Sequence, residues 1–126
     1  MEKKIINTTN APAPIGPYSQ AVQVGSLLFV SGQVPIDPAT GEVNTKEIAA
    51  ETELVMKNLS AILHAAQMDF TNVVKTTIFL SDMSLFTQVN EVYSKYFTGE
   101  FPARETVAVK GLPKNVNVEI SAIASL

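Results

Sequence analysis

Val116-Asn117-Val118-Glu119-Ile120-Ser121-Ala122-Ile123-Ala124 is the stretch that decides the fold. Aliphatic side chains recur at every second position, which is the period of an extended strand. Val116, Val118, Ile120 and Ala122 point one way. Asn117, Glu119, Ser121 and Ile123 point the other. The first face is apolar enough for a core. The second is only weakly polar, and an exposed face of that kind needs a partner. The stretch therefore predicts a sheet with one face packed internally and the other buried in a homo-oligomer, with sites at the subunit seam.

The rest of the chain supplies the layers. Gly111-Leu112-Pro113-Lys114-Asn115 links the stretch back to a second strand, Glu105–Val109. Before it, Ser84 to about Thr98 reads as an amphipathic helix with the stripe Leu85, Val89, Val92, Tyr93 and Tyr96, and Gly99 as its stop. Val73–Leu80 is rich in β-branched residues and reads as a strand. Lys46 to about Gln67 reads as a longer helix, its stripe formed by Ile48, Thr52, Val55, Leu59, Ile62 and Ala66. Glu47 and Glu51 fall in its first turn, where the helix dipole favours anions. Ser19–Val24 and Leu27–Ser31 form a hairpin about Gly25-Ser26. Ile5 and Ile6 start a short first strand. Loops are marked by Pro12 and Pro14, and again by Pro35, Pro38 and Gly41. The order strands, helix, strand, helix, strand, strand predicts an α+β two-layer sandwich, a mixed sheet with two helices on one face.

Length and composition agree with this picture. The 126 residues are expected to form a single domain, 1–126. They are 46% hydrophobic and only 17% charged, which excludes intrinsic disorder. The shortage of charge favours an oligomer. The net charge of −3 lacks the basic stripe of a nucleic-acid binder. There are no cysteines, so disulfides, thiolate metal sites and thiol catalysis are excluded. His64 is the one histidine, and it falls on the polar side of the first helix. That disfavours a Ser-His-Asp triad and a histidine-based metal site. No signal peptide, membrane span, P-loop or dinucleotide fingerprint is present. A cytoplasmic protein without membrane attachment is expected.

Carboxylate, hydroxyl, guanidinium and backbone groups must then carry any chemistry. Arg104 is the only arginine and follows Pro102-Ala103 at a strand entrance. It is either a bidentate clamp for a small carboxylate or a structural ion-pair partner. Glu119, mid-strand, is either an ion-pair partner or a general acid/base with a raised pKa. Tyr18 reads first as a packing aromatic. Gly32, after Ser31, would let a ligand approach the backbone closely. Asn90, at the edge of the second helix's stripe, reads as a hydrogen-bonding partner for a loop more readily than as a ligand contact. Phe86 and Phe97 are most simply core.

These residues fall in blocks that resemble the reactive intermediate deaminase (Rid) family of enamine/imine deaminases. The blocks are Ile15-Gly16-Pro17-Tyr18-Ser19-Gln20-Ala21, Val30-Ser31-Gly32-Gln33-Val34-Pro35 with Asp37-Pro38, and Val89-Asn90-Glu91-Val92-Tyr93. Pro102-Ala103-Arg104, Leu112-Pro113 and Val118-Glu119-Ile120 complete the set. The resemblance covers nearly the whole chain. It implies a chorismate-mutase-like fold and a homotrimer with clefts between subunits. It also implies cofactor-free, metal-free hydrolysis of 2-aminoacrylate and related enamines or imines, released by pyridoxal-phosphate dehydratases, to 2-oxo acids and ammonia. By the same resemblance Arg104 binds the substrate carboxylate and Glu119 activates water. Tyr18 lines the pocket, Ser31, Gly32 and Thr106 offer contacts, and Asn90 supports the site. Many relatives carry a small residue and then a cysteine where Glu105 and Thr106 stand here. Were Glu105 to face Arg104, it would compete for the guanidinium, although strand alternation points it away from Thr106. No lysine lies in the matched motifs near Arg104 or Glu119, so a covalent Schiff-base route is not suggested. Two other readings are weighed: a non-enzymatic trimer binding small 2-oxo or amino acids, and a ribonuclease as assigned to some relatives. The acidic charge and the single arginine speak against the latter.

Overall fold

A computed structural model describes residues 2–126. Six strands form one mixed sheet in the order β1-β2-β3-β6-β4-β5. They are β1 (Lys3–Ile6), β2 (Ala21–Val24), β3 (Leu27–Gln33), β4 (Val73–Leu80), β5 (Ala103–Ala108) and β6 (Val118–Ser125). All pairings are antiparallel except β4 with β5, which is parallel. Helices α1 (Ile48–Ala65) and α2 (Phe86–Ser94) cover one face. The expected α+β two-layer architecture is therefore present.

The alternation on β6 acts as its sequence implies. Val118, Ile120, Ala122 and Ala124 are buried, and Glu119, Ser121 and Ile123 turn to the open face. Under β6 lie Val55, Leu59, Ile62 and Leu63 of α1, all essentially inaccessible. Each such side chain contributes about 1.5–3 kcal/mol when fully buried. The open face carries the in-register row Ile5, Val22, Phe29 and Ile123. Phe29 is 44% exposed there.

Several boundaries differ from expectation. β2 starts at Ala21 rather than Ser19, because the Gln20 side chain turns inward instead of joining a strand. Its amide donates to the Thr8, Ala11 and Pro12 carbonyls, and its oxygen accepts from the Thr8 N–H. Gln20 thereby pins the proline-containing N-terminal loop to the sheet. Helix α2 stops at Ser94, short of Thr98. Beyond it the chain tightens into i→i−3 turns through Tyr96 and Phe97. These rings then stack with Phe70 and Tyr93 at 5.3 and 4.9 Å. β6 begins at Val118, since Lys114 and Asn115 adopt left-handed backbone angles just before it.

Glu51 lies in the first turn of α1, as expected, and is fully buried. Its carboxylate accepts from the Asn117 backbone N–H (2.5 Å) and side-chain amide (2.9 Å). Asn117 in turn accepts from the Ser81 hydroxyl at 2.9 Å. A buried carboxylate is tolerated only when so satisfied. The network fixes the start of β6 against the end of β4, two residues before Glu119.

Candidate active site

The sheet register separates the candidate residues into two groups. Arg104 is the second residue of β5, at the strand entrance as expected, and lies opposite Thr76 of β4. Thr76 is buried, and its hydroxyl pairs with the Tyr93 hydroxyl of α2 at 2.7 Å. Arg104 therefore belongs to the helix-covered face, at the sheet's edge. Glu119 of β6 stands opposite Phe79, and Phe79 opposite Val107. That row lies on the open face. Within one copy of the chain, Arg104 and Glu119 point to opposite sides of the sheet.

The Arg104 group is built on α2. Its guanidinium donates to the Asn90 side-chain oxygen at 2.6 Å. It also stacks 5.4 Å from the centre of the Phe86 ring and 5.1 Å from that of Tyr93. Phe86, Asn90 and Tyr93 are spaced four and three residues apart, so they share one helix face. The aromatic walls and one amide hold the planar group while leaving other N–H donors free for a ligand. Asn90 thus contacts Arg104 rather than a loop, and Phe86, packed against the core as expected, also forms part of the platform. Phe101 and Pro102 complete a hollow of about 420 Å³ here. Thr106 sits two residues on, its side chain on the same face, with a buried hydroxyl that has no hydrogen-bond partner. Glu105 projects to the other face and pairs with Lys75, so it does not compete for Arg104.

The Glu119 group forms a cleft of about 480 Å³ that includes Tyr18, Ser31, Gly32 and Glu119. A β-bulge shapes it. Ser31 and Gly32 oppose the single residue Ser121, between the pairs Val30–Ala122 and Gln33–Ile120. Bulges re-aim side chains beside functional sites. Here the bulge sets Gly32 under the Glu119 carboxyl. A Cβ at position 32 would stand 2.8 Å from Glu119 Cδ and 3.0 Å from Cγ. Gly32 is required because it leaves that space. Partial burial raises the Glu119 carboxyl above its ordinary pKa. The Ser31 hydroxyl donates to the Ser19 carbonyl at 2.6 Å, which leaves its lone pairs to accept. Tyr18 is 53% exposed at the mouth, so it is a rim residue and not a packing aromatic.

Sequence reasoning passed over Lys114, which lines this cleft although it follows the Leu112-Pro113 motif. It also passed over the stacking roles of Phe86 and Tyr93, for which the shared helix face was the available signal. His64 is exposed, as expected. Among the described residues no three His, Cys, Asp or Glu side chains converge as a metal site. No helix among them is long and apolar enough to cross a membrane.

The family model for Endoribonuclease L-PSP matches residues 8–126. The chain belongs to this family, known also as RutC or Rid. It is 52% identical over 122 residues to a mouse protein named 2-iminobutanoate/2-iminopropanoate deaminase, covering 97% of this chain and 90% of that one. Among Rid-family structures, YyfA of Yersinia pestis superposes with a TM-score of 0.96 at 46% identity, covering 99% of this chain and 100% of that one. Escherichia coli TdcF, solved with bound serine, gives 0.94 at 41% identity, with 98% of each chain covered.

Proposed function

We propose that this protein hydrolyses 2-imino acids and their enamine tautomers to 2-oxo acids and ammonia, at sites assembled between copies of the chain. One observation carries the reading. The Arg104 guanidinium and the Glu119 carboxyl occupy opposite faces of one sheet, each beside an open hollow. A second copy that covers the weakly polar face brings one copy's Arg104 to the other's Glu119. The homotrimer implied by the sequence resemblance is one assembly that does so. The mouse relative's name supports the chemistry.

In this mechanism Arg104 holds the substrate carboxylate by paired N–H donors. Glu119, ionised, takes a proton from water as the water oxygen bonds to the imine carbon. The C=N electron pair passes to nitrogen, which is protonated. The resulting carbinolamine collapses: the C–N bond breaks, the C=O bond forms, and ammonia leaves. A carboxyl with a raised pKa suits both taking and returning the proton near neutral pH. Such a positioned base contributes roughly 10²- to 10⁴-fold.

The test is a coupled assay in which a serine or threonine dehydratase generates the enamine and 2-oxo acid release is followed. Arg104→Ala and Glu119→Gln are each expected to abolish the acceleration. Co-assembled in equal amounts, they should regain about a quarter of the wild-type rate, because random pairing leaves that share of shared sites intact. Recovery of nothing from verified mixed oligomers refutes the shared site. No acceleration by the wild-type oligomer refutes the deaminase itself. TdcF was solved with serine bound, which keeps a second reading in play: a module that binds small amino or 2-oxo acids without turning them over. Binding of 2-oxobutanoate without imine turnover would select it.

A further inference from the structure

Among the described residues only two charged side chains line the Glu119 cleft: Glu119 itself and Lys114. The remaining lining is apolar or neutral. Lys114 reaches this position through an unusual backbone. It and Asn115 are consecutive residues with φ of 55° and 56°, in a region that side-chain-bearing residues seldom occupy. The turn is closed by hydrogen bonds from Asn115 N to Leu112 O (3.1 Å) and from Val116 N to Pro113 O (3.3 Å). Such conformations persist where the surrounding structure enforces them, and they concentrate at ligand sites. Next to it, Glu51 and Asn117 anchor the chain to α1. The lysine is therefore carried on a fixed support.

Its charge is unanswered inside the copy. Among the described residues the only ion pair is Lys75–Glu105. Lys114, itself exposed, lines the same cleft as the half-buried Glu119. A volume of about 480 Å³ is also more than a three-carbon imino acid fills, since pockets of roughly 300–1,000 Å³ take much larger ligands.

We propose that Lys114 forms a second anion subsite, which selects 2-imino acids bearing a distal carboxylate. The substrate class is the imines of acidic amino acids. Their α-carboxylate engages Arg104 of the adjoining copy, the C=N carbon faces Glu119, and the side-chain carboxylate meets Lys114. This inference rests on the deaminase reading above and extends it to substrate choice.

The product 2-oxo acids serve as probes on the assembled protein. Binding of 2-oxoglutarate is compared by calorimetry with that of 2-oxohexanoate, a chain of similar length without the second charge. The dicarboxylate is expected to bind roughly two- to fivefold tighter, the range for one solvent-exposed ion pair. The advantage should shrink with added salt. Lys114→Met should bring the affinity ratio to about one, and Lys114→Arg should keep it. Rates on the corresponding imines, formed in place by an amino-acid oxidase, should follow the same ratios. Equal affinities in the wild type, or a preference that survives Lys114→Met, overturns the subsite while monocarboxylate binding and imine turnover leave the deaminase standing. If neither acid binds and no imine is turned over by a verified oligomer, the deaminase reading falls and this one with it.

Discussion

Gly32→Ala separates catalysis from folding at one position. The new methyl would stand 2.8 Å from Glu119 Cδ and 3.0 Å from Cγ, closer than carbon atoms pack. The obstacle is the far end of one flexible side chain, so the carboxyl can swing away while the backbone stays. Gly32 lies outside the positive-φ residues of the chain, so alanine brings no backbone strain of that kind. Removing a glycine also lowers the entropy of the unfolded chain, a gain of about 0.4–1 kcal/mol where the conformation allows. Restoring a normal carbon contact of ~3.5–4.0 Å displaces the carboxyl by about 1 Å. A misplacement of that size costs on the order of 10²-fold in rate, or about 2.7 kcal/mol of barrier. The expected variant therefore keeps its oligomeric state, melts within a few degrees of wild type and loses about 100-fold in kcat/KM. Stability is read by calorimetry, assembly by mass measurement and activity by the coupled dehydratase assay. Wild-type turnover in a correctly assembled Gly32→Ala protein would refute the placement of Glu119 as the base.

Three further outcomes are expected. Arg104→Lys removes the planar fork held by Asn90, Phe86 and Tyr93. Losing one charge-assisted contact of about 1.5–3 kcal/mol should raise KM by roughly 10- to 100-fold, as steady-state kinetics will show. Because burial raises the Glu119 pKa above 4.5, its ionised form destabilises the fold. The stabilising contribution is full below the unfolded pKa and is lost as pH rises through the raised folded value. Glu119→Gln should therefore gain stability over wild type at pH 7–8 and lose that gain below about pH 4 in denaturant titrations. The acid limb of wild-type kcat/KM should likewise lie above pH 4.5.

Much of the fold was legible because burial direction is written locally. The twofold period of Val118, Ile120 and Ala122, and the stripe of Val55, Leu59 and Ile62, each name their inward face without reference to the rest of the chain. Helix ends were less legible, since the early stop at Ser94 depends on Phe70, which is distant in sequence and draws the later aromatics inward. The candidate site divides along the same line. Chemical type singled out Arg104, and an acid in an apolar strand singled out Glu119. The alternation of its strand also gave Glu119 the open face. The face of Arg104 was hidden, because it follows from the parallel pairing of Arg104 with Thr76.

By itself the sequence determined the elements, the covered face of the sheet and the few groups able to do chemistry, since each is set by residue type and local period. Tertiary structure alone decided that Gly32 makes room for Glu119, that Glu51 braces Asn117, that Glu105 leaves Arg104 for Lys75, and that Lys114 joins the cleft. Those outcomes depend on register, a bulge and contacts between residues far apart in the chain, and no local pattern carries that information.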